Sequence, residues 1–242
     1  MKGHFWSTFL FPHQLSRRDL WLTLIPALLW IGAVYARPYV ITPRCVTDPA
    51  YCNPGTVFDL DRPSLGLENT PADQYSDVTQ HLAGYVGAGV PVAFNFGLAA
   101  LGRISPAVAL AQTGVDLAIW LQTVSWNGAI NETTRVLVQR PRPYVYARPV
   151  EGRNAANYTS FYSGHTSFAA ASSVALVLIL LARGAPLLLT LGSILSAHLL
   201  IFTTGLFRVL AGRHFLSDVI VGAVAGTAIA LAVSWFHRRR QT

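Results

Sequence analysis

The chain has 242 residues, of which 52% are hydrophobic and only 12% are charged. Soluble domains carry roughly a quarter charged residues, so this composition excludes an ordinary soluble domain and indicates an integral membrane protein. The formal net charge of +7 does not point to nucleic acid as a partner, because the basic residues lie in separate groups rather than along one stripe.

The chain contains six apolar runs near the length of roughly 17–25 residues that a spanning helix needs. In chain order they cover residues 20–36, 82–101, 107–124, 168–182, 186–206 and 219–236. The first run has an alternative interpretation as a signal peptide ending near Ala36, since basic residues precede it and small residues close it. Its polar leader is long for a signal peptide. We expect an all-α, integral membrane bundle of six transmembrane helices, forming a single domain over residues 1–242.

The distribution of arginine predicts the orientation of the bundle. One side receives arginines that belong to no candidate motif: Arg17, Arg18, Arg103, Arg183 and the tail at 238–240. The positive-inside rule makes this side cytoplasmic, together with residues 1–19. The opposite side receives segment 37–81, where three arginines face six acidic residues. We therefore expect a bacterial inner (plasma) membrane protein with segment 37–81 in the periplasm and the active site at the outer membrane face.

The two cysteines, Cys45 and Cys52, are seven residues apart in the polar segment 37–81. A pair of cysteines in an exposed loop suggests a disulfide on an oxidising side of the membrane. Two free thiols are the alternative, because the spacing alone does not fix the geometry of a bond.

Three groups of polar residues lie at helix ends on the predicted outer side. Arg135-x6-Arg142-Pro143 follows the third apolar run, Ser163-Gly164-His165 precedes the fourth, and Arg208-x5-His214-x3-Asp218 joins the fifth and sixth. The loop 125–167 carries five arginines: Arg135, Arg140, Arg142, Arg148 and Arg153. A basic loop on the non-cytoplasmic side runs against the positive-inside rule. We therefore expect these arginines to bind something anionic.

The residue types in the three groups fit a phosphate. The planar guanidinium of arginine pairs bidentately with phosphate oxygens, and three arginines are enough to surround its three non-bridging positions. The backbone N–H groups of Ser163, Gly164 and His165 lie where the fourth helix begins, and a helix N-terminus is an anion site.

The two histidines suggest nucleophilic catalysis. If the sixth helix starts by His214, Asp218 lies on the same face and accepts a hydrogen bond from the ring. The carboxylate then fixes the tautomer and leaves the other ring nitrogen free to attack phosphorus. His165 is left to donate a proton to the leaving alkoxide and later to take one from water.

Together these groups resemble the pattern of the type 2 phosphatidic acid phosphatase superfamily of membrane lipid phosphatases. The family's pattern is Lys-x6-Arg-Pro, then Pro-Ser-Gly-His, then Ser-Arg-x5-His-x3-Asp. The resemblance covers about residues 127–226, and the six-helix layout extends it to the whole chain. The chain departs from the pattern at three positions: Arg135 replaces the lysine, Tyr162 the proline and Phe207 the serine. None of these changes removes a nucleophile or an acid.

The resemblance implies a lipid phosphatase with His214 as the nucleophile that forms a phosphohistidine, Asp218 as its orienting carboxylate and His165 as the general acid. It assigns phosphate binding to Arg135, Arg142, Ser163, Gly164 and Arg208. It implies no metal and no other cofactor, and no carboxylate cluster in the sequence suggests a metal site. The expected partners are a lipid phosphate substrate and the surrounding membrane lipids, without nucleic acid. The oligomeric state is left open.

The sequence leaves alternative functions open. A phosphotransferase that moves phosphate between lipids has the same motifs, and a non-catalytic protein that binds or transports lipid phosphates needs only some of them. A soluble vanadate haloperoxidase shares the core motifs, but six apolar spans argue against it. The lipid is not specified, and the candidates are phosphatidate, phosphatidylglycerol phosphate, an isoprenoid diphosphate and the phosphates of lipid A.

Four further polar residues lie in or next to apolar runs. Asp116 and His198 fall within spans, where we favour a packing or hydrogen-bonding role over a catalytic one. Asn127 and Asn131 stand at helical spacing before Arg135. They either orient that arginine or end the helix.

Overall fold

The structure, a computed structural model, describes residues 15–148 and 152–237. These residues form eight α-helices and no β-strand. In chain order the helices are α1 (Arg17–Val40), α2 (Arg44–Thr47), α3 (Thr70–Ala100), α4 (Pro106–Val138), α5 (Pro143–Ala147), α6 (Gly164–Ala182), α7 (Leu187–Leu210) and α8 (Leu216–Phe236). They include six segments long and apolar enough to cross a membrane, in which the short α2 continues α1 and the short α5 continues α4. The prediction of an all-α bundle of six spanning helices is therefore confirmed.

Two of the spanning helices are longer than their apolar runs. Helix α3 begins at Thr70 rather than at residue 82, because Asn69 caps it by accepting a hydrogen bond from the amide of Ala72 at 2.9 Å. Helix α4 continues to Val138 rather than ending at residue 124, and its 33 residues span about 50 Å, more than a hydrocarbon core of about 30 Å. The apolar runs thus correspond to only the hydrophobic part of these two helices.

These longer helices correct two predictions. The polar connection predicted at 37–81 is shorter, because α1 ends at Val40 and α3 begins at Thr70. Arg135 lies in the last turn of α4 and not in a loop. Both changes extend helices beyond the apolar layer, so that polar side chains are carried on rigid elements at one end of the bundle.

Helix α6 forms the centre of the bundle and packs against α3, α4, α7 and α8. Its contact with α8 is close because two glycines, Gly222 and Gly226, face it from α8. A Cβ at Gly226 would lie 2.1 Å from the carbonyl oxygen of Ser167, and one at Gly222 would lie 2.7 Å from that of Ser163. Small residues at this spacing let two membrane helices approach closely. The approach brings the start of α8 against the start of α6.

Helix α1 lies at the edge of the bundle and packs mainly on α4. Gly128 makes room there for the ring of Trp30, since a Cβ on Gly128 would lie 2.1 Å from a ring carbon. Near the end of the pair, Arg37 of α1 forms an ion pair with Glu132 of α4. Glu132 also accepts a hydrogen bond from Arg135 at 2.8 Å, so α1 is tied to the motif end of the bundle.

The opposite end of the bundle contains an ion pair between Arg183, at the end of α6, and Asp116 of α4. Their closest atoms are 2.6 Å apart, and Asp116 also accepts from Asn95 at 2.8 Å. Asp116 therefore has the bonding role favoured from the sequence. Arg183 was counted as a topology signal, but its side chain is only 5% exposed and is engaged with this carboxylate. His198 bonds to the carbonyl of Ile194 in its own helix.

The connection 41–69 covers the motif end of the bundle. Its cysteines Cys45 and Cys52 are joined in a disulfide with a Cα–Cα distance of 5.4 Å. The amide of Cys45 donates to the hydroxyl of Tyr158 at 2.8 Å, which ties this connection to the one before α6. Most of the predicted cytoplasmic segment 1–19 and the arginine tail at 238–240 lie outside the described residues.

Candidate active site

Three arginines reach one region at the motif end from three different elements. Arg135 comes from the last turn of α4, Arg142 immediately precedes α5, and Arg208 comes from the last turn of α7. The charges of all three act on His214, which lies between α7 and α8. The structure thus brings together residues that are up to 79 positions apart in the chain.

Several polar atoms in this region are buried without a hydrogen bond inside the described part of the chain. They are the Nε atoms of Arg135, Arg142 and Arg208 and Nε2 of His214. Buried polar atoms in proteins are nearly always hydrogen-bonded, and each exception calls for an explanation. Three donors and one ring nitrogen in a single region fit a ligand with several acceptor oxygens around a central electrophile, as a phosphate ester has.

His214 is completely buried, and its Nδ1 donates a hydrogen bond to the carbonyl oxygen of Ser160 at 2.7 Å. A carbonyl only accepts, so this bond fixes the tautomer that leaves a lone pair on Nε2. Burial lowers the pKa of His214 well below its ordinary value, and the positive charges of Arg208, Arg142 and Arg135 lower the pKa further. The ring is therefore neutral at pH 7, the form that acts as a nucleophile.

Asp218 does not bond to His214 in the way expected from the sequence. Helix α8 starts at Leu216, so His214 precedes the helix, and its Nδ1 lies 3.8 Å from Oδ2 of Asp218. The carboxylate instead accepts from the hydroxyl of Ser160 at 2.5 Å and from the amide of Phe215 at 3.0 Å. Asp218 thus acts on the nucleophile candidate through Ser160, whose carbonyl holds the ring.

Arg140 holds Asp218 in place, and Asp61 holds Arg140. Neither residue was assigned a role of its own from the sequence. Arg140 donates to Asp218 at 2.7 Å and to Asp61 at 2.8 Å, and its guanidinium carbon lies 4.0 Å from the ring centre of Phe215. Asp61 is 1% exposed and also accepts from the amide of Ser217 at 2.8 Å. The arginines of loop 125–167 were expected to bind something anionic. For Arg140 the anionic partners are carboxylates of the protein itself.

His165 lies in the first turn of α6, and its Nε2 is 2.7 Å from a carboxylate oxygen of Asp77 on α3. One turn earlier on α3, Asp73 accepts from Arg208 at 2.6 Å and from Arg213 at 2.7 Å. Neither aspartate was predicted, because the sequence placed this part of α3 in a loop. Their spacing of four residues on a helix is the signal that would have put them on one face.

Ser163 and Gly164 shape the start of α6. The side chain of Ser163 caps the helix by accepting from the amide of Thr166. Its own amide donates to the carbonyl of Asp218 at 3.0 Å and is therefore not available to an anion. The amides of Gly164 and His165 have no acceptor inside the helix. A Cβ on Gly164 would lie 2.7 Å from a terminal nitrogen of Arg135, so this glycine makes room for the arginine.

The two asparagines on α4 hold the segment before α6. Asn131 donates to the carbonyl of Tyr162 at 2.9 Å, and Asn127 donates to the hydroxyl of Ser167 at 3.2 Å. They neither orient Arg135 by a hydrogen bond nor end the helix, which continues to Val138. Their role is to fix the position of the Ser163-Gly164-His165 turn relative to α4.

The family model of the PAP2 superfamily matches residues 116–242, which contain all three motif groups. The chain belongs to the PAP2 superfamily. Membership makes it a phosphatase-type enzyme that acts on phosphate esters. Comparisons with curated proteins and with solved structures found no match.

The PAP2 match begins after α3, so three carboxylates of the site lie outside it. Asp61, Asp73 and Asp77 come from the connection 41–69 and from the start of α3. They contact Arg140, Arg208 and His165, all of which lie inside the matched region. In this PAP2 protein the segment before the match thus supplies ionic partners for Arg140, Arg208 and His165.

Proposed function

We propose that the protein is a lipid phosphatase that hydrolyses a lipid phosphomonoester or diphosphate through a phosphohistidine on His214. The observation that carries the proposal is Nε2 of His214, a buried lone pair in a fixed tautomer among three arginines. A receptor for lipid phosphate does not need a buried nucleophile. Catalysis is favoured over binding alone because His165 provides a second histidine near the same arginines.

In the first step, Nε2 of His214 attacks phosphorus, and the bond between phosphorus and the lipid oxygen breaks as the N–P bond forms. Arg135, Arg142 and Arg208 neutralise the charge on the non-bridging oxygens, which grows in the transition state. His165 bonds to the carboxylate of Asp77, and the bound phosphate offsets the charge of the arginines, so His165 is protonated in the complex and gives its proton to the leaving oxygen. For a diphosphate the leaving oxygen belongs to the lipid monophosphate.

In the second step, a water molecule attacks the phosphorus of the phosphohistidine. His165 takes a proton from this water, the N–P bond breaks, and inorganic phosphate leaves. His214 returns to its neutral form with Nδ1 still bonded to the Ser160 carbonyl. Asp218 and Arg140 take no proton in either step and serve to position Ser160 and thereby the ring.

A lipid substrate is supported by an apolar groove of about 460 Å³ between α7 and α8. The groove is lined by Ile201 and Phe202 from α7 and by Val219 and Ile220 from α8. It reaches Thr166, the neighbour of His165, and Val209, the neighbour of Arg208. An acyl or prenyl chain in this groove therefore lies along the helices that carry His165 and Arg208, and a water-soluble phosphate ester has no need of such a groove.

We further propose that the active site faces the periplasm or the exterior of an inner (plasma) membrane. The arginine distribution supports this orientation, since Arg17, Arg18 and Arg103 lie at the end of the bundle opposite the motifs. The cysteine pair supports it independently, because disulfides persist on the oxidising side of such a membrane.

The test is phosphate release by the purified protein from a panel of lipid phosphates that includes a phosphomonoester and a diphosphate. His214→Ala should abolish release, because loss of a nucleophile costs several orders of magnitude. The matched control is His81→Ala, an exposed histidine whose ring bonds only to its own helix at Asp77 O. A His214→Ala variant within roughly tenfold of wild type sinks the assignment. So does failure to trap label on the protein from a lipid carrying radioactive phosphate.

A further inference from the structure

A polar cavity of about 350 Å³ lies on the outer side of the arginines and has no role in the chemistry proposed above. Its walls are the start of α3, the residues around α5 and the turn between α7 and α8, with Asn69, Tyr144, Arg148, Asn157 and Arg213 among its lining. Sites for small molecules have volumes of roughly 300–1,000 Å³. We call it the polar cavity.

The polar cavity shares its wall with the candidate phosphate site. Asp73 lines the cavity and accepts from Arg208 at 2.6 Å. Arg213 lines it and directly precedes His214 in the chain. Asn157 lines it and accepts, through its carbonyl, from the amide of Arg142 at 2.8 Å. A group bound in the cavity therefore lies next to a phosphate held by Arg142 and Arg208.

The charges of the polar cavity are balanced in pairs. Arg213 pairs with Asp73 at 2.7 Å, and Arg148 pairs with Glu68 at 2.9 Å. Among the described residues, neither of these two arginines has a buried N–H without a partner, whereas Arg135, Arg142 and Arg208 each have one. The cavity thus has no net positive charge with which to attract a second anion.

The rest of the polar lining consists of neutral groups. Amides come from Asn69, Asn154 and Asn157, and hydroxyls come from Thr70 and Tyr144. The side-chain oxygens of Asn69 and Asn154 already accept from backbone amides, and the hydroxyl of Tyr144 donates to Oδ1 of Asn157 at 2.6 Å. These groups therefore offer a ligand mainly amide N–H donors and hydroxyl lone pairs. Such a lining matches a ligand that carries hydroxyl groups, since a hydroxyl both accepts and donates.

We propose that the polar cavity binds a neutral polyhydroxylated group, such as glycerol or a sugar, beside the reacting phosphate. This inference rests on the proposed function and narrows its substrates to lipids whose phosphate is carried by a hydroxylated head group. The same chemistry fits a hydroxylated alcohol that accepts the phosphoryl group from His214 in place of water. The hydroxylated group in the polar cavity thus belongs either to the head group of the substrate or to an accepting alcohol, and the experiment distinguishes the two.

The test compares dioleoyl phosphatidylglycerol phosphate, whose terminal phosphate is carried by a glycerol with a free hydroxyl, with dioleoyl phosphatidate, whose phosphate is carried by a fully acylated glycerol. We expect kcat/KM of the wild type to be at least roughly tenfold higher for the glycerol-containing lipid. Thr70 is exposed and lines the polar cavity, so Thr70→Trp fills it without disturbing the core. This variant should lower the ratio of the two kcat/KM values roughly tenfold. Thr56→Trp, exposed on the connection 41–69 and outside the cavity, should leave the ratio unchanged.

Two further arms complete the experiment. Tyr144→Phe removes one hydroxyl without adding bulk, and it should raise KM for the glycerol-containing lipid alone. Free glycerol added to the phosphatidate reaction should yield glycerol phosphate, with less in Thr70→Trp, if the cavity holds an accepting alcohol. The inference is overturned if the wild type shows neither a preference nor transfer, or if Thr70→Trp changes both lipids equally. If the wild type releases no phosphate from either lipid, it is the proposed function that fails.

Discussion

The carboxylate of Asp77 lies 2.7 Å from Nε2 of His165, although the two residues are 88 positions apart in the chain. The bond joins α3 to the first turn of α6 and fixes the direction of the His165 ring. Asp218 and Asp77 thus each support one histidine, the first through Ser160 and the second directly. We infer that Asp77 is a positioning residue for the general acid.

Replacing Asp77 should therefore affect the step that needs a proton. Asp77→Ala is expected to lower kcat for an alkyl phosphate lipid roughly 10²-fold, the scale of general acid catalysis. An aryl phosphate has a leaving group that needs no proton. Asp77→Ala should therefore slow the release of phenol from an aryl phosphate much less than it slows the release of alcohol from an alkyl phosphate. The measurement is the release of alcohol or phenol in single-turnover reactions of both substrates.

Asp77→Glu keeps the carboxylate and should recover part of the lost rate, whereas a purely structural role predicts equal losses for the two substrates. Asp59→Ala is the matched control, since Asp59 is an exposed acid that pairs only with Arg62 on the surface. Equal loss for alkyl and aryl phosphates in Asp77→Ala would contradict the positioning role.

The lowered pKa of His214 predicts the pH dependence of kcat/KM. A histidine with a lowered pKa stays neutral at more acidic pH, so the acid limb caused by His214 should lie well below its ordinary pKa of about 6.5. Arg208 is one of the charges that lower it. Arg208→Gln should raise the pKa and move the acid limb to higher pH, whereas Arg208→Lys, which keeps the charge, should not.

The experiment compares pH profiles of the three proteins on one substrate, so that titration of the substrate itself is common to all. An acid limb that does not move in Arg208→Gln, or moves to lower pH, would show that His214 does not control it. The size of kcat/KM is expected to fall in both variants because Arg208 is assigned to the phosphate.

The buried contact between Asp61 and Arg140 should contribute to stability as well as to activity. Removing one partner of a buried ion pair costs roughly 3–5 kcal/mol, and Arg140 is 22% exposed, which favours the lower end. Asp61→Ala should lower the apparent Tm in detergent and lower kcat, with little change in KM, because Asp218 and Ser160 lose their support. Glu68→Ala breaks the exposed pair with Arg148 and is the control expected to leave Tm unchanged.

The glycines of α8 provide a test of the bundle itself. Gly226→Val should destabilise the protein by at least roughly 1–3 kcal/mol, because its Cβ would lie 2.1 Å from the backbone oxygen of Ser167. Gly192→Val on α7 is the control, since nothing lies within 4 Å of a Cβ at that glycine. Equal thermal stability of the two variants would contradict the close packing of α6 on α8.

The sequence predicts the six spans well because a helix that crosses the hydrocarbon layer must be apolar. It predicts that the motif residues lie at helix ends because each motif is a short pattern next to an apolar run. It misses the ends of α3 and α4, since the turns beyond the apolar layer are polar and look like loop. Asp73 and Asp77 were missed for that reason. The contact between Asp61 and Arg140 was missed for a different reason, because it depends on how the connection 41–69 folds back over α8.

The Asp218 bond shows a third kind of limit. A spacing of four residues predicts contact only if both residues are helical, and Phe215 has an extended backbone with φ −74° and ψ 161°. Because Phe215 is extended rather than helical, the ring of His214 points to the Ser160 carbonyl instead of to Asp218. A pattern of residues thus predicts which side chains lie near one another more reliably than it predicts their hydrogen bonds.

The orientation of the bundle yields a prediction of sidedness. Asp61 bonds to Arg140 and Ser217, so the connection 41–69 lies on the same side of the membrane as the active site. A cysteine at Thr56, which is exposed on this connection, therefore reports the side of the site itself. Gln241 follows α8 outside the described residues, and α8 has the length and composition to cross the membrane.

In a background with Cys45→Ser and Cys52→Ser, Thr56→Cys should react with an impermeant thiol reagent in intact cells or spheroplasts. Gln241→Cys should react only after lysis, because the arginine rule places the tail inside. Phosphate release by both variants serves as the control that the bundle is intact without the disulfide. The reverse labelling pattern would put the active site in the cytoplasm. The enzyme would then act on inner-leaflet lipid, and the positive-inside rule would have failed for this chain.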